Sequence, residues 1–197
     1  MSLRFGVLGL IHQQPMTGYA IYQYFDQVLS HMWYAQQSQV YRELGQLEKD
    51  GLLSSVIEPQ SGKPNKRVYA ITAAGKTALK EWLESFDFSE SLRHRDSFAL
   101  RIFFAGYMPD LLKSLIANLE IYIQYNDDLL NKLDVQEHEL RLGQNQAQLA
   151  GEHLMQRELF FFELSLMRGK AQYAMNIQWA KDALVLCHAQ ERNHTSV

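Results

Sequence analysis

Apolar residues recur at helical spacing through the first quarter of the chain, after which the pattern turns strand-like. Leu3, Val7, Leu10 and Ile11 share one face of a short first helix, interrupted by "HQQPMTG" with its Pro15 and Gly18. Thr17 is placed to cap a second helix, "GYAIYQYFDQVL", in which Ile21, Tyr24, Phe25 and Val28 fall at helical spacing. A third helix is predicted over "QSQVYRELGQLEKD", with Val40, Leu44 and Leu47 as its apolar stripe. Gly51 then suits the left-handed position just past its end. From Leu52, "LLSSVIE", the turn-rich "PQSGKPN" and "KRVYAIT" predict a β-hairpin. Thr72 can cap a fourth helix, "AAGKTALKEWLESF", whose stripe is Leu79, Trp82, Leu83 and Phe86.

The polar stretch "DFSESL" at 87–92 reads as a linker, and everything beyond it reads helical. "RHRDSFALRIFFAG" ends at Gly106, and Pro109 suits the first turn of a helix expected to run through about Leu133. Another long helical pattern occupies roughly residues 150–190, after the polar "GQNQAQLAGEH". Leu112, Leu115, Leu119, Tyr122, Asn126, Leu129 and Leu133 alternate three and four apart, which is a heptad seam with Asn126 as its one polar member. A lone asparagine in such a seam costs stability but can pair with a partner's asparagine and fix register. These seven residues are therefore candidates for dimerisation. The same spacing is equally met by a helical hairpin with the last long helix of the same chain.

One face of the third helix is not explained by packing. Gln37, Ser38, Tyr41, Arg42 and Gly45 lie away from the apolar stripe. Three helices, a basic β-hairpin and a closing helix are the order of a winged helix-turn-helix, in which the third helix lies in the major groove of DNA. There, Gln37 and Gln39 suit adenine and Arg42 suits guanine, while Ser38 and Tyr41 can hold phosphates. Gly45 would let the helix approach the DNA backbone. Lys63, Lys66 and Arg67, opposed nearby only by Glu58, form the densest basic cluster and suit phosphates or the minor groove. The predicted fold is mainly α: an N-terminal winged helix-turn-helix DNA-binding domain over 1–86 with a small β-hairpin wing, followed by a C-terminal α-helical dimerisation domain over 93–190.

Composition leaves this picture standing and removes others. At 197 residues, 47% of them hydrophobic, the chain can bury the cores of two modest domains. The net charge of −3 speaks against a general nucleic-acid binder. Its distribution matters more: residues 1–85 hold 8 Lys/Arg against 7 Asp/Glu, and residues 86–197 hold 11 against 15. A polyanion would have to be met by a local cluster in the first half. No uncharged apolar run is long enough to cross a bilayer, and "MSLRFGVLGLIHQQ" lacks a small-residue cleavage pattern. With Cys187 as the one cysteine, a cytoplasmic location without membrane association is expected.

Catalytic patterns are missing. Gly6 and Gly9 do not make a dinucleotide fingerprint, "SGKPNKR" is not a phosphate loop, and "QEHEL" around His138 lacks the second histidine of a zinc-protease helix. His188 and His194 beside Cys187 read as a frayed tail, and "LFFFEL" at 159–164 as core and seam. No catalytic residue, metal or cofactor is expected.

"TGYAIYQYF", "VYRELGQLEKDGLL" and "GKPNKRVYAITAAGKTALKEWL" together resemble, in order, the N-terminal domain of the PadR family of bacterial transcriptional regulators, over most of residues 1–85. "RHRDSFALRIFFAG" and the long helices after it resemble the α-helical dimerisation domain of the virulence-activator alpha branch. Arg42 stands where many PadR proteins have proline, as in that branch, which leads away from phenolic-acid sensing. The resemblance implies a homodimer on a partly palindromic double-stranded DNA operator, each protomer presenting one recognition helix and one wing. It leaves room for a small-molecule effector of unknown chemistry. A second reading is a winged-helix protein-interaction module without specific DNA binding, its hairpin charges serving an acidic partner.

Overall fold

The computed structural model describes residues 2–59, 65–85, 96–105 and 111–195. The chain divides into two units, Met1–His94 and Arg95–Val197. The first contains α1 (Ser2–Gln13), β1 (Met16–Thr17), α2 (Gly18–Gln27), α3 (Gln37–Lys49), β2 (Leu53–Glu58), β3 (Lys66–Ile71) and α4 (Ala73–Glu84). Its core joins Val7, Leu8 and Ile11 of α1 to Ile21 and Phe25 of α2 and to Val40, Leu44 and Leu47 of α3, all at most 2% exposed. Each such side chain contributes on the order of 1.5–3 kcal/mol of transfer free energy.

Local signals in the sequence act where they were expected. Thr17 Oγ1 accepts from the Ala20 amide at 3.2 Å to start α2, and Thr72 Oγ1 accepts from the Gly75 amide at 3.1 Å to start α4. Gly51 takes φ 72°, and the next amide, Leu52, reaches back to the Leu47 carbonyl at 2.9 Å, which closes α3. The hairpin is present, but the sheet has a further strand. Met16 and Thr17 pair antiparallel with Tyr69 and Val68, so the order is β1-β3-β2. Two residues are too few to show a strand pattern, and "HQQPMTG" reads only as a break. The stripe expected on α4 is divided: Leu79 is buried and Trp82 stacks on Phe5 at 4.9 Å, but Leu83 is exposed. Phe86 and the linker at 87–92 lie outside the described residues.

The second unit contains α5 (Ser97–Ala105), α6 (Leu111–Ala150) and α7 (His153–Thr195). The helix expected to end near Leu133 runs on to Ala150, through most of the polar "GQNQAQLAGEH". The seam continues through those residues: Leu119, Asn126, Leu133, Leu140 and Ala147 are buried at intervals of one heptad. Exposed glutamines and asparagines do not interrupt a helix whose buried face persists. The turn comes at Gly151, φ 69°, and α7 stays helical to Thr195, through the residues read as a frayed tail. Gly106 and Pro109 lie outside the described residues.

The seam finds its partner within the chain. Leu133 and Leu140 cluster with Leu166 of α7, flanked by Leu159, Phe162 and Tyr173. Asn126 accepts a hydrogen bond from Asn176 of α7 at 2.8 Å. Leu112, Leu115, Tyr122 and Leu129 are half-buried, and Tyr122 stacks on Phe98 of α5 at 4.9 Å. The hairpin arrangement, one of the two that the spacing allowed, thus accounts for the buried members of the seam. Among the described residues no helix is long and apolar enough to cross a membrane.

Candidate nucleic-acid interface

Helix α3 is held by one face and open on the other. Val40, Leu44 and Leu47 are fully buried, while Gln37, Ser38, Tyr41, Arg42 and Gly45 are exposed. The structure therefore groups five of the residues singled out in the sequence on one outward surface. A Cβ built on Gly45 would meet nothing within 4 Å, so that surface has room for close approach of a partner. Lys49, seven residues on from Arg42, is exposed on the same side and escaped the sequence reading. The i, i+7 spacing from Arg42 was the signal available for it.

Two of the expected contacts are partly engaged inside the fold. Gln39 is half-buried, and its Oε1 accepts from the Gln36 backbone amide at 3.0 Å, which caps α3. Its carbonyl is thereby committed to the helix start. The ring of Tyr41 lies over Gly18, where an added Cβ would come within 2.8 Å of it. Tyr41 thus packs α3 against the start of α2 while its outer edge stays exposed.

The basic cluster of the wing is rearranged by the pleat of the sheet. In the β2–β3 register, Glu58 faces Lys66 and Ile57 faces Arg67, so the two neighbouring cations point to opposite faces. Lys66 Nζ pairs with Glu58 at 2.9 Å, both about half exposed. Arg67 turns instead toward α3, where its Nη2 donates to both carboxylate oxygens of Glu48 at 2.8 and 2.6 Å. The expectation that only Glu58 opposes this cluster is therefore corrected: Glu48, distant in sequence, engages Arg67. Lys63 lies outside the described residues.

The acidic groups at the end of α3 are neutralised in the same way. The Ser55 hydroxyl, followed by the Arg67 guanidinium, holds the Glu48 carboxyl below the usual carboxylate range. Arg4 and Gln46 do the same for Asp50. No acidic residue lies in the first turn of α3, where the helix dipole is positive. The open surface accordingly presents Arg42, Lys49 and neutral hydrogen-bonding groups, and the carboxylates of Glu48 and Asp50 beside it are tied to arginines.

Residues 7–81 match the transcriptional regulator PadR-like family, and residues 94–188 match the virulence activator alpha C-terminal family. The chain thus carries a PadR-like domain followed by a virulence activator alpha C-terminal domain. This PadR-like chain is 32% identical over 109 residues to the negative transcriptional regulator PadR of Bacillus subtilis, covering 52% of its own length and 56% of that protein. It spans about half the length of the curated relatives it matches. The solved structure of the Vibrio cholerae virulence activator AphA superposes with a TM-score of 0.71 at 24% identity, covering 95% of this chain and 99% of that one. Bacillus subtilis PadR in complex with operator DNA superposes at 0.68 with 22% identity, over 95% of this chain and 99% of that one. These likenesses establish the fold as a winged helix-turn-helix followed by long C-terminal helices.

Proposed function

We propose that the protein is a cytoplasmic, sequence-specific DNA-binding regulator that acts as a homodimer on a partly palindromic operator. The observation that carries this reading is the outward face of α3. Gln37, Ser38, Tyr41, Arg42 and Gly45 stand clear of a fully buried stripe, with a wing beside them. In this assignment α3 enters the major groove, and Gln37 and Arg42 address base edges. Ser38, the outer edge of Tyr41, Lys63 and Lys66 hold phosphates. Gln39 contributes through its amide nitrogen, its carbonyl being engaged by the Gln36 amide. The Bacillus subtilis PadR structure with operator DNA supports the assignment through a shared fold.

The homodimer is assigned to the helical unit. Leu119, Asn126 and Leu133 are buried within one chain, so a second copy would meet surfaces that the hairpin leaves open. Phe160, Phe161, Leu164 and Met167 of α7 are large apolar side chains still exposed to solvent, and such a density of exposed apolar surface marks an interaction site.

Binding selection from random duplexes, followed by shifts at low and physiological salt, tests the reading. A recovered inverted repeat, bound tightly at physiological salt, is expected. Binding that vanishes at physiological salt with no sequence recovered would leave the protein-interaction module as the better account. Sedimentation of the full chain checks the assembly, and a monomer at micromolar concentration would overturn the homodimer.

A further inference from the structure

Among the described residues of the wing, Arg67 carries more contacts than Lys66, and all of them tie it to the fold. Its Nη2 meets both oxygens of Glu48 on α3, and its Nε donates to Ser55 Oγ of β2 at 2.7 Å. The Ser55 hydroxyl donates in turn to Glu48 Oε1 at 2.6 Å, closing a triangle across two strands and the recognition helix. The guanidinium also lies 5.4 Å from the ring centre of Tyr69, which is 5% exposed. A planar fork with several donors fits this arrangement, whereas an ammonium group would satisfy only part of it.

We infer that Arg67 is a positioning residue, not a phosphate contact: through Glu48 and Ser55 it holds the wing at a defined angle to the recognition helix, leaving Lys66 to face the phosphates. The inference rests on the DNA-binding reading above. Moving Arg67 to a phosphate would break its hydrogen bonds to both Glu48 oxygens and to Ser55, and would leave the Glu48 carboxylate without its arginine and close to a second anion. Lys66 has no such restraint. It sits on the other face of the hairpin, and its exposed partner Glu58 is readily exchanged for a phosphate.

The test measures affinity of the full chain for its selected duplex against salt, for the wild type and for Arg67→Ala, Arg67→Lys, Glu48→Gln and Lys66→Ala, each checked by thermal melting. Positioning predicts that Arg67→Ala, Arg67→Lys and Glu48→Gln each weaken binding roughly tenfold with the wild-type salt slope, and that combining Arg67→Ala with Glu48→Gln adds nothing further. Lys66→Ala should flatten the slope by about 0.9 per wing. Full activity of Arg67→Lys, a slope flattened by about 0.9 per wing in Arg67→Ala, or unchanged affinity in Glu48→Gln would each overturn the inference. Amide exchange in the free protein gives a readout that does not involve DNA: β3 should exchange faster in Glu48→Gln than in the wild type. A wild type that selects no sequence would sink the DNA reading, while unchanged exchange in Glu48→Gln would sink the clamp by itself.

Discussion

Asn126 of α6 and Asn176 of α7 face one another across the helical hairpin, with Asn176 Nδ2 donating to Asn126 Oδ1 at 2.8 Å. Asn126 passes its own amide hydrogen to the Tyr122 carbonyl at 2.8 Å, and Asn176 Oδ1 accepts from Gln172 at 3.1 Å. With Asn126 only 2% exposed, the pair fixes how the two long helices align. Asn126→Ala should therefore destabilise the chain by about 1–3 kcal/mol, because the Asn176 amide loses its acceptor. Replacing both residues with leucine should keep or raise stability while loosening register. Urea unfolding followed by circular dichroism measures both, and an Asn126→Ala curve lying on the wild type would disprove the role.

The hairpin also carries a charge network whose pH dependence has a definite sign. Lys170 first, then Arg141, push the Glu137 carboxyl down from 4.5 to about 2. A depressed carboxylate contributes stability that is fully present above its unfolded value and is lost as pH falls toward its folded value. The melting temperature should accordingly drop between about pH 4.5 and 2, and Glu137→Gln should show a shallower drop across that window. Lys170 is shifted upward by Asp134 and Glu137, so this shared interaction is intact at neutral pH, fades with the carboxylates in acid, and is lost from the lysine side only at strongly alkaline pH. Melts of wild type and variant across both windows give the comparison. Parallel curves in acid would contradict the assignment.

Two glycines in the first unit should respond in opposite ways to alanine. At Gly75 an added Cβ would fall 2.2 Å from the Leu52 carbonyl oxygen, a backbone atom that cannot step aside, so Gly75→Ala should cost about 1–3 kcal/mol of stability. Gly45 lies mid-helix in open space, and Gly45→Ala should add up to about 1 kcal/mol through helix propensity. If α3 enters a groove, the same methyl should weaken DNA binding. A Gly45→Ala variant with unchanged affinity would show that this face does not approach DNA closely.

Arg42 and Gln39 should separate by mechanism. Arg42→Ala removes an exposed fork and should cost about 1–3 kcal/mol of binding while relaxing preference at one operator position. Gln39→Ala also removes the acceptor that caps α3, so it should lower melting temperature by an amount that Arg42→Ala does not. Binding selection with each variant, alongside melts, distinguishes them. Uniformly weaker binding with an unaltered sequence preference in Arg42→Ala would place that side chain on phosphate.

What the sequence determined by itself was whatever depends on near neighbours. Helical spacing of Val40, Leu44 and Leu47, the caps at Thr17 and Thr72, and Gly51 at φ 72° are local physics, and they defined α2, α3, α4 and the open face of α3. Other outcomes were decided by residues far apart in the chain. The wing's cations looked like one cluster because Lys66 and Arg67 are adjacent, yet the pleat turns them apart and Glu48, 19 positions from Arg67, captures one of them. Strand β1 is defined only by β3, and Gln39 became a cap only through the backbone geometry at Gln36. The seam from Leu112 to Leu133 was legible as a seam. Its partner was not, because heptad spacing records that a face is buried and not which helix buries it. Only the turn at Gly151, which folds α7 back onto α6, sets Asn176 against Asn126.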